Sequence, residues 1–354
     1  MEDIRAIAKD VAHFSSREVG VVPPQIEGEP ETYDRIPAPP IQVDPPVHTW
    51  SRRLILPAFS PPAVAEYEPY TRELCRSLIA NFQYRGHADA ASEYAQQIPV
   101  SIIARLLGIP ADMNDIFTGW VRDLLEFAGQ DPARAQQARR DIFSYLDSQI
   151  EDRLQNPGND MISQLATAEV EGEPVARKHV LGTCGLLLVA GIDTTWSGIG
   201  SSLWHLATHE DHRRRLAAEP DLIPTAIEEL LRAYSPVTMA RRVTDDFEFK
   251  GCPMKEGDKV LLPFPAANRD PEAFEDADKV IIDRQRNRHV AFGVGLHRCA
   301  GSNLARMELR VAVEEWMKAI PEFTLDTAQS TTWAGGQVRG PRQLPVLFST
   351  KGAE

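Results

Sequence analysis

A chain of 354 residues, 43% apolar and 25% charged, can bury a large core and is not the composition of a disordered protein. Its 38 basic residues against 51 acidic ones leave a net charge of −13, which argues against a nucleic-acid partner. The four cysteines (Cys75, Cys184, Cys252, Cys299) stand far apart with no zinc spacing, as in a reduced cytoplasmic protein, and the opening residues do not read as a signal peptide.

Residues 1–14 read as one short helix. The stretch over 15–46 is proline-rich and without periodicity, the kind of long loop that is usually functional or disordered. Asp44-Pro45-Pro46-Val47-His48 then opens a helix on which His48 and Arg52, spaced i, i+4, share a face. A solvated basic face is the ordinary meaning of such a pair. From 64 to 154 the pattern is helix after helix. Ile98, Ile102, Ile103, Leu106 and Leu107 form a stripe closed by Gly108 and Pro110, and helices over 112–128 and 133–154 flank the turn at 129–132.

Residues 175–210 contain no proline and predict one helix roughly 50 Å long. Its apolar run, 180–192, is too short to span a bilayer and ends at Asp193, so no membrane partner is expected. An acid placed there is costly to bury and should be paired or functional. The small pair Ala190-Gly191, one turn before Thr194, leaves room for a small ligand. The threonine hydroxyl can also bond the carbonyl one turn back, which is what an Asp-Thr pair in a helix usually does. A further helix starts at Pro224 and carries Glu229 and Arg232 at i, i+3; alone, such pairs are mostly weak surface salt bridges. Residues 234–241 leave it in extended form. Strands follow at 247–250, 260–262, 320–325 and 344–348.

Cys299 lies in a glycine-rich loop, Phe292-Gly293-Val294-Gly295-Leu296-His297-Arg298-Cys299-Ala300-Gly301, just before a helix with apolar rows Leu304-Met307-Val311 and Leu309-Val313-Trp316-Ile320. Free N–H groups and the helix dipole stabilise a thiolate at such a place. That thiolate could be a nucleophile, a redox sensor or an axial metal ligand, while the common fate of a lone cysteine is burial in a core.

The string matches Phe-x-x-Gly-x-x-x-Cys-x-Gly followed by Leu-Ala-Arg, and in it the chain resembles the bacterial cytochromes P450. Asp-Pro-Pro-x-His-x-x-x-Arg at 44–52, Ala-Gly-x-Asp-Thr-Thr at 190–195 and Glu-x-x-Arg at 229–232 resemble the family in the same order. The resemblance implies a mostly α fold with a small β region, one domain over 1–354. Its helix-rich core would cover about 47–235 and 302–320, its β-rich part about 236–265 and 321–350. It also implies haem b with Cys299 as the thiolate ligand, Phe292 beside the sulfur, Gly293 among the haem-binding residues, and His48, Arg52, Arg241 and His297 on the propionates. Asp193 and Thr194 would be catalytic on the face where dioxygen binds. Leu186, Val189, Ala190, Val237 and Met239 would line the pocket for a small apolar substrate, a terpenoid or a small aromatic compound. The 15–46 loop would roof that pocket and the 112–154 helix pair would cover it. Glu229 and Arg232, with Arg284, would brace the haem-binding region. The family usually has further residues ahead of the first helix here, supplying a first helix and two strands, which implies either a late start codon or a depleted small sheet with an open edge.

The activity so implied is monooxygenation. There is no strand followed by GxGxxG, so electrons are expected from NAD(P)H through ferredoxin reductase and ferredoxin, docking near Arg298 and Arg306. A peroxide-driven haem-thiolate enzyme and a non-catalytic haem sensor are the alternatives. The Asp193-Thr194 pair argues against the first, and the long apolar helix with its roofing loop against the second.

Overall fold

In the computed structural model, which describes residues 1–21, 33, 36–127 and 130–350, helices follow the apolar periodicity of the sequence. The first part carries α1 (Glu2–Lys9), α2 (Val47–Ile55), α3 (Pro61–Ala65), α4 (Glu68–Ala80) and α5 (Gln97–Leu107). Next come α6 (Asn114–Glu126), α7 (Pro132–Gln155), α8 (Met161–Ala166) and the 32-residue α9 (Arg177–Thr208). α10 (Glu210–Ala218), α11 (Ile223–Ala233), α12 (Phe264–Ala267) and α13 (Ser302–Ala319) complete the helical part. α7 starts where it does because Pro132 fits the first turn and the Asp131 side chain accepts the Arg134 N–H at 3.1 Å. The helix expected over 1–14 stops at Lys9.

Short strands fill the rest: β1 (Phe14–Ser15), β2 (His87–Asp89), β3 (Glu169–Val170), β4 (Glu173–Pro174), β5 (Thr238–Val243) and β6 (Phe247–Phe249). They continue with β7 (Cys252–Met254), β8 (Lys259–Pro263), β9 (Phe323–Leu325), β10 (Thr332–Ala334), β11 (Gly340–Gln343) and β12 (Pro345–Phe348). β5 is the centre of one antiparallel sheet, between β8 and β1, and β12 is the centre of another, between β2 and β9. β1 pairs with β5 over two residues, with Phe14 opposite Val243 and Ser15 opposite Arg242.

The main apolar core gathers side chains of α4, α5, α7, α9, α11 and α13, and a smaller one lies under β5 and β8 around Phe14, Val243, Leu262 and Phe264. All seven positions of the two apolar rows on α13 and its end are buried, each large one contributing about 1.5–3 kcal/mol. α9 is long and apolar enough to cross a membrane by composition, yet 72% of its apolar window is buried within the protein, as befits a core helix.

Histidines fasten both ends of α9. His179 lies 2.9 Å from Ser51 Oγ of α2 and packs on Trp50, and buried His205 bonds Tyr234 and His212, each at 2.8 Å. Burial pushes His179 down to about 4; burial, then His209 and His212, push His205 down to about 3. Both folded values lie below the ordinary value of about 6.5, so on acidification the unfolded chain binds protons first. This stability is present above about pH 6.5 and is lost as pH falls toward about 4, on the order of 2 kcal/mol for each histidine. Denaturation midpoints should therefore drop between about pH 7 and about pH 4.5, and drop less in His179→Asn. Parallel profiles for the two proteins would contradict this.

Candidate active site

The thiol loop is built by its glycines. Gly293 and Gly295 take φ values of 68° and 78°, and the Cys299 N–H returns to the Phe292 carbonyl at 2.8 Å. A Cβ on Gly295 would overlap the Ala8 carbonyl, so α1 closes against this loop only because residue 295 is glycine. Cys299 is exposed, yet protein surrounds it closely enough for burial to dominate its titration. Its thiol therefore faces an internal cleft rather than bulk water. Burial raises its pKa, while the Gly301 N–H and the charges of Arg52, Arg298 and Arg306 oppose that. Beside it, the Arg306 guanidinium lies 4.4 Å from the Phe292 ring centre and bonds Glu228 at 2.6 and 2.9 Å. Burial alone would raise Glu228, but His289 and Arg306 outweigh it and hold its carboxyl at about 2.

Above the loop the structure brings His48, Arg52, Arg241 and His297 together. The His48 and His297 ring centres are 4.3 Å apart. Among the described residues neither ring nitrogen of His48, apart from a weak approach to the Leu296 backbone, nor His297 Nε2 has a hydrogen-bond partner, although all three atoms are buried. Arg241 is buried too and bonds the carbonyl of Ala240 at 2.7 Å, and Arg52 bonds the carbonyl of Arg298 at 2.5 Å. Burial, then Arg241 and His48, push His297 down to about 3, and burial also lowers His48, Arg52 and Arg241. The acid whose charge reaches His48, Arg241 and His297, Asp44, is bonded by Ser15 Oγ at 2.5 Å and the Ser16 N–H at 2.9 Å. Orphaned donors of this kind call for buried anions. The two propionates of a haem whose iron meets Cys299 fit that demand.

Between Val180 and Leu203, α9 is buried except at Leu186, Val189, Ala190, Gly191 and Thr194. These positions recur at three and four residues and form one face, open to the cleft. The Thr194 hydroxyl donates to the Ala190 carbonyl at 2.9 Å. The room expected at Ala190-Gly191 is only half there: Ala190 is open, but a Cβ on Gly191 would overlap Ile103 of α5. Asp193 is buried and paired with Arg342 of β11, a partner the sequence does not reveal because it lies 149 residues away. Burial pushes its carboxyl up to about 6 against the pull of Arg342.

Val237 and Met239 are half-buried and pack with the smaller core. Val237 bridges Val338 between β10 and β11, and the Thr238 N–H bonds the Gln337 carbonyl at 2.9 Å, while among the described residues the cluster they pack with contains no side chain of α9. Glu229 and Arg232 form a doubly bonded pair at 2.8 Å, both fully buried, with Arg284 at 3.0 Å. The middle of the roofing loop (22–32, 34–35) and part of the turn after α6 (128–129) lie outside the described residues. The loop's end is held by Arg139 of α7, which bonds the carbonyls of Tyr33 at 3.0 Å and Ile36 at 2.6 Å.

Comparison with known proteins bears on the same chemistry. Residues 100–332 match the family described as Cytochrome P450. The chain is 33% identical to mycinamicin IV hydroxylase/epoxidase of Micromonospora griseorubida, over 98% of this chain and 88% of the relative. Among solved structures it resembles the cytochrome P450 PksS of the Bacillus subtilis bacillaene polyketide synthase (TM-score 0.89, 31% identity, 98% of this chain and 89% of that one). It also resembles a mutant of P450 EryK in complex with erythromycin B (TM-score 0.89, 31% identity, 100% of this chain and 90% of that one). A match over more than half the chain, and relatives sharing a third of its residues over nearly its whole length, place it: the chain belongs to the cytochrome P450 family, and it is a monooxygenase that works with a cysteine-ligated haem b.

Proposed function

We propose that this monooxygenase puts one oxygen atom of O2 into an apolar organic substrate held against α9, the other atom leaving as water. The observation that carries the reading is the face of Leu186, Val189, Ala190 and Thr194, the one opening in the middle of a buried helix, with a buried carboxyl at the next residue. Cys299 is the thiolate ligand, and His48, Arg52, Arg241 and His297 hold the propionates. The bound haem supplies the redox and oxygen chemistry, tuned by electron density from the thiolate. The protein's share is orientation and proton supply. Thr194 Oγ, resting on the Ala190 carbonyl, turns to hold a water in the cleft, and Asp193 carries protons to it.

The chain works as one domain over 1–354, in the cytoplasm, with electrons from NAD(P)H through ferredoxin reductase and ferredoxin. Of the two arginines expected at that docking face, Arg298 is exposed, whereas Arg306 is committed to Glu228. The pocket's apolar lining suits a terpenoid or small aromatic compound, and the names of the relatives add polyketide products to the panel worth screening by spectral shift. A peroxide-driven enzyme would have no use for a proton carrier beside Thr194.

The test is product and hydrogen peroxide formed per NADH oxidised. Thr194→Ala should keep consuming NADH while peroxide replaces product. Asp193→Asn should slow the whole cycle by about 10²-fold. Unchanged coupling in Thr194→Ala would remove the threonine from the chemistry and revive the peroxide-driven alternative.

A further inference from the structure

Arg342 stands where three elements meet. From β11 its Nη2 donates to Asp193 Oδ1 at 2.6 Å and its Nη1 to Ser197 Oγ at 3.1 Å, both on α9, and its Nε donates to Glu126 on the last turn of α6. Its guanidinium also lies 4.2 Å from the ring centre of buried Trp196. The side chains of Arg342, Asp193 and Glu126 are 9%, 5% and 20% exposed, so one buried cation is shared by two carboxylates. Those carboxylates sit on unlike helices. α9 is core along most of its length, whereas α6 buries only Phe117 and Val121 and exposes Ile116. Trp120, Leu124 and Leu125 only half-bury against the core, so of the two helices α6 costs less to lift, and it carries the Glu126 charge.

We propose that Glu126 and Arg342 make Asp193 a working proton carrier only while α6 is seated on the protein, which ties proton delivery to closure of the cleft. This rests on the reading of Asp193 as the proton carrier. The charges that act most on Asp193 are Arg342 from β11 and Glu126 and Arg122 from α6. With α6 seated, burial and the Glu126 charge keep the carboxyl within reach of neutral pH, so it takes and gives a proton. Asp193 Oδ2, buried with no hydrogen-bond partner among the described residues, is the atom left to carry it. When α6 lifts, water reaches Asp193 and Arg342 is no longer divided between two acids. Both changes favour the ionised form. Asp193 then stays a carboxylate and holds no proton to deliver, so an open cleft does not run the oxygen chemistry.

The carboxyl band of Asp193 in the infrared spectrum of the haem-loaded resting protein, recognised by its loss in Asp193→Asn, gives the titration directly. Glu126→Gln should lower its midpoint by about one unit or more, and Arg342→Gln should raise it by a similar amount, with Arg342→Lys near wild type. In turnover at neutral pH, Glu126→Gln should slow the whole cycle in the direction of Asp193→Asn, with NADH consumption and product falling together. A midpoint that does not move in Glu126→Gln or Arg342→Gln overturns the proposal and leaves Asp193 as the carrier. Wild-type turnover in Asp193→Asn overturns that underlying reading, and the proposal with it.

Discussion

Cys299→Ser will lose the strongly red-shifted Soret band of the reduced carbonyl complex, because that band reports a thiolate opposite the carbon monoxide. A serine hydroxyl fills the same space but does not ionise near neutral pH, so the axial position loses its charge. The loop itself should survive, since its turn is fixed by the backbone bond from residue 299 to the Phe292 carbonyl and by Gly293 and Gly295. Binding of some haem with an ordinary Soret maximum is therefore expected, held by the cation cluster. No other cysteine can take over. Burial pushes Cys75 and Cys184 up to about 12, and Cys252 sits on the exposed strand β7. A variant that keeps the band would mean that Cys299 is not the ligand.

Glu229→Ala should be the most damaging single change outside the thiol loop. The Glu229 carboxylate accepts bonds from Arg232, Arg284, Asn287 and the Ile281 N–H. Arg232 in turn donates to the carbonyls of Asn268, Ala277 and Lys279, which pins the long segment leading to the thiol loop. Without the carboxylate, a fully buried guanidinium has no anion, at a cost of about 3–5 kcal/mol. Denaturant unfolding of the purified variant measures this. A loss under about 1 kcal/mol, the size of a surface pair, would show that the network tolerates the gap.

What was legible in the sequence was whatever repeats at short range. α9 and α13 announced themselves by period and by the lack of proline, and the thiol loop by glycine spacing around one cysteine. The i, i+4 spacing put His48 and Arg52 on one face, but their meeting with His297 and Arg241 depends on how α2, β5 and the loop pack. Asp193 was readable as an acid in need of a partner, and Arg342 as that partner was not, because no local pattern links residues from α9 and β11. Gly191 was read as free space, where tertiary packing gives part of that space to Ile103. Arg306 was read as a surface charge, and Glu228 had already claimed it. β1, β2 and β10 are two or three residues long, too short for any alternation to show.

The crowding of His48, Arg52, Arg241 and His297 has a cost that falls on the polypeptide alone. Before it takes up its cofactor, the chain must bring these like-charged or chargeable groups together, out of water, with several donors unanswered. A ligand that answers them stabilises the folded state by mass action, by about 4 kcal/mol when present at a thousand times its dissociation constant. Haem uptake then adds directly to folding stability, so the share of chains held native in a cell rises with the supply of free haem.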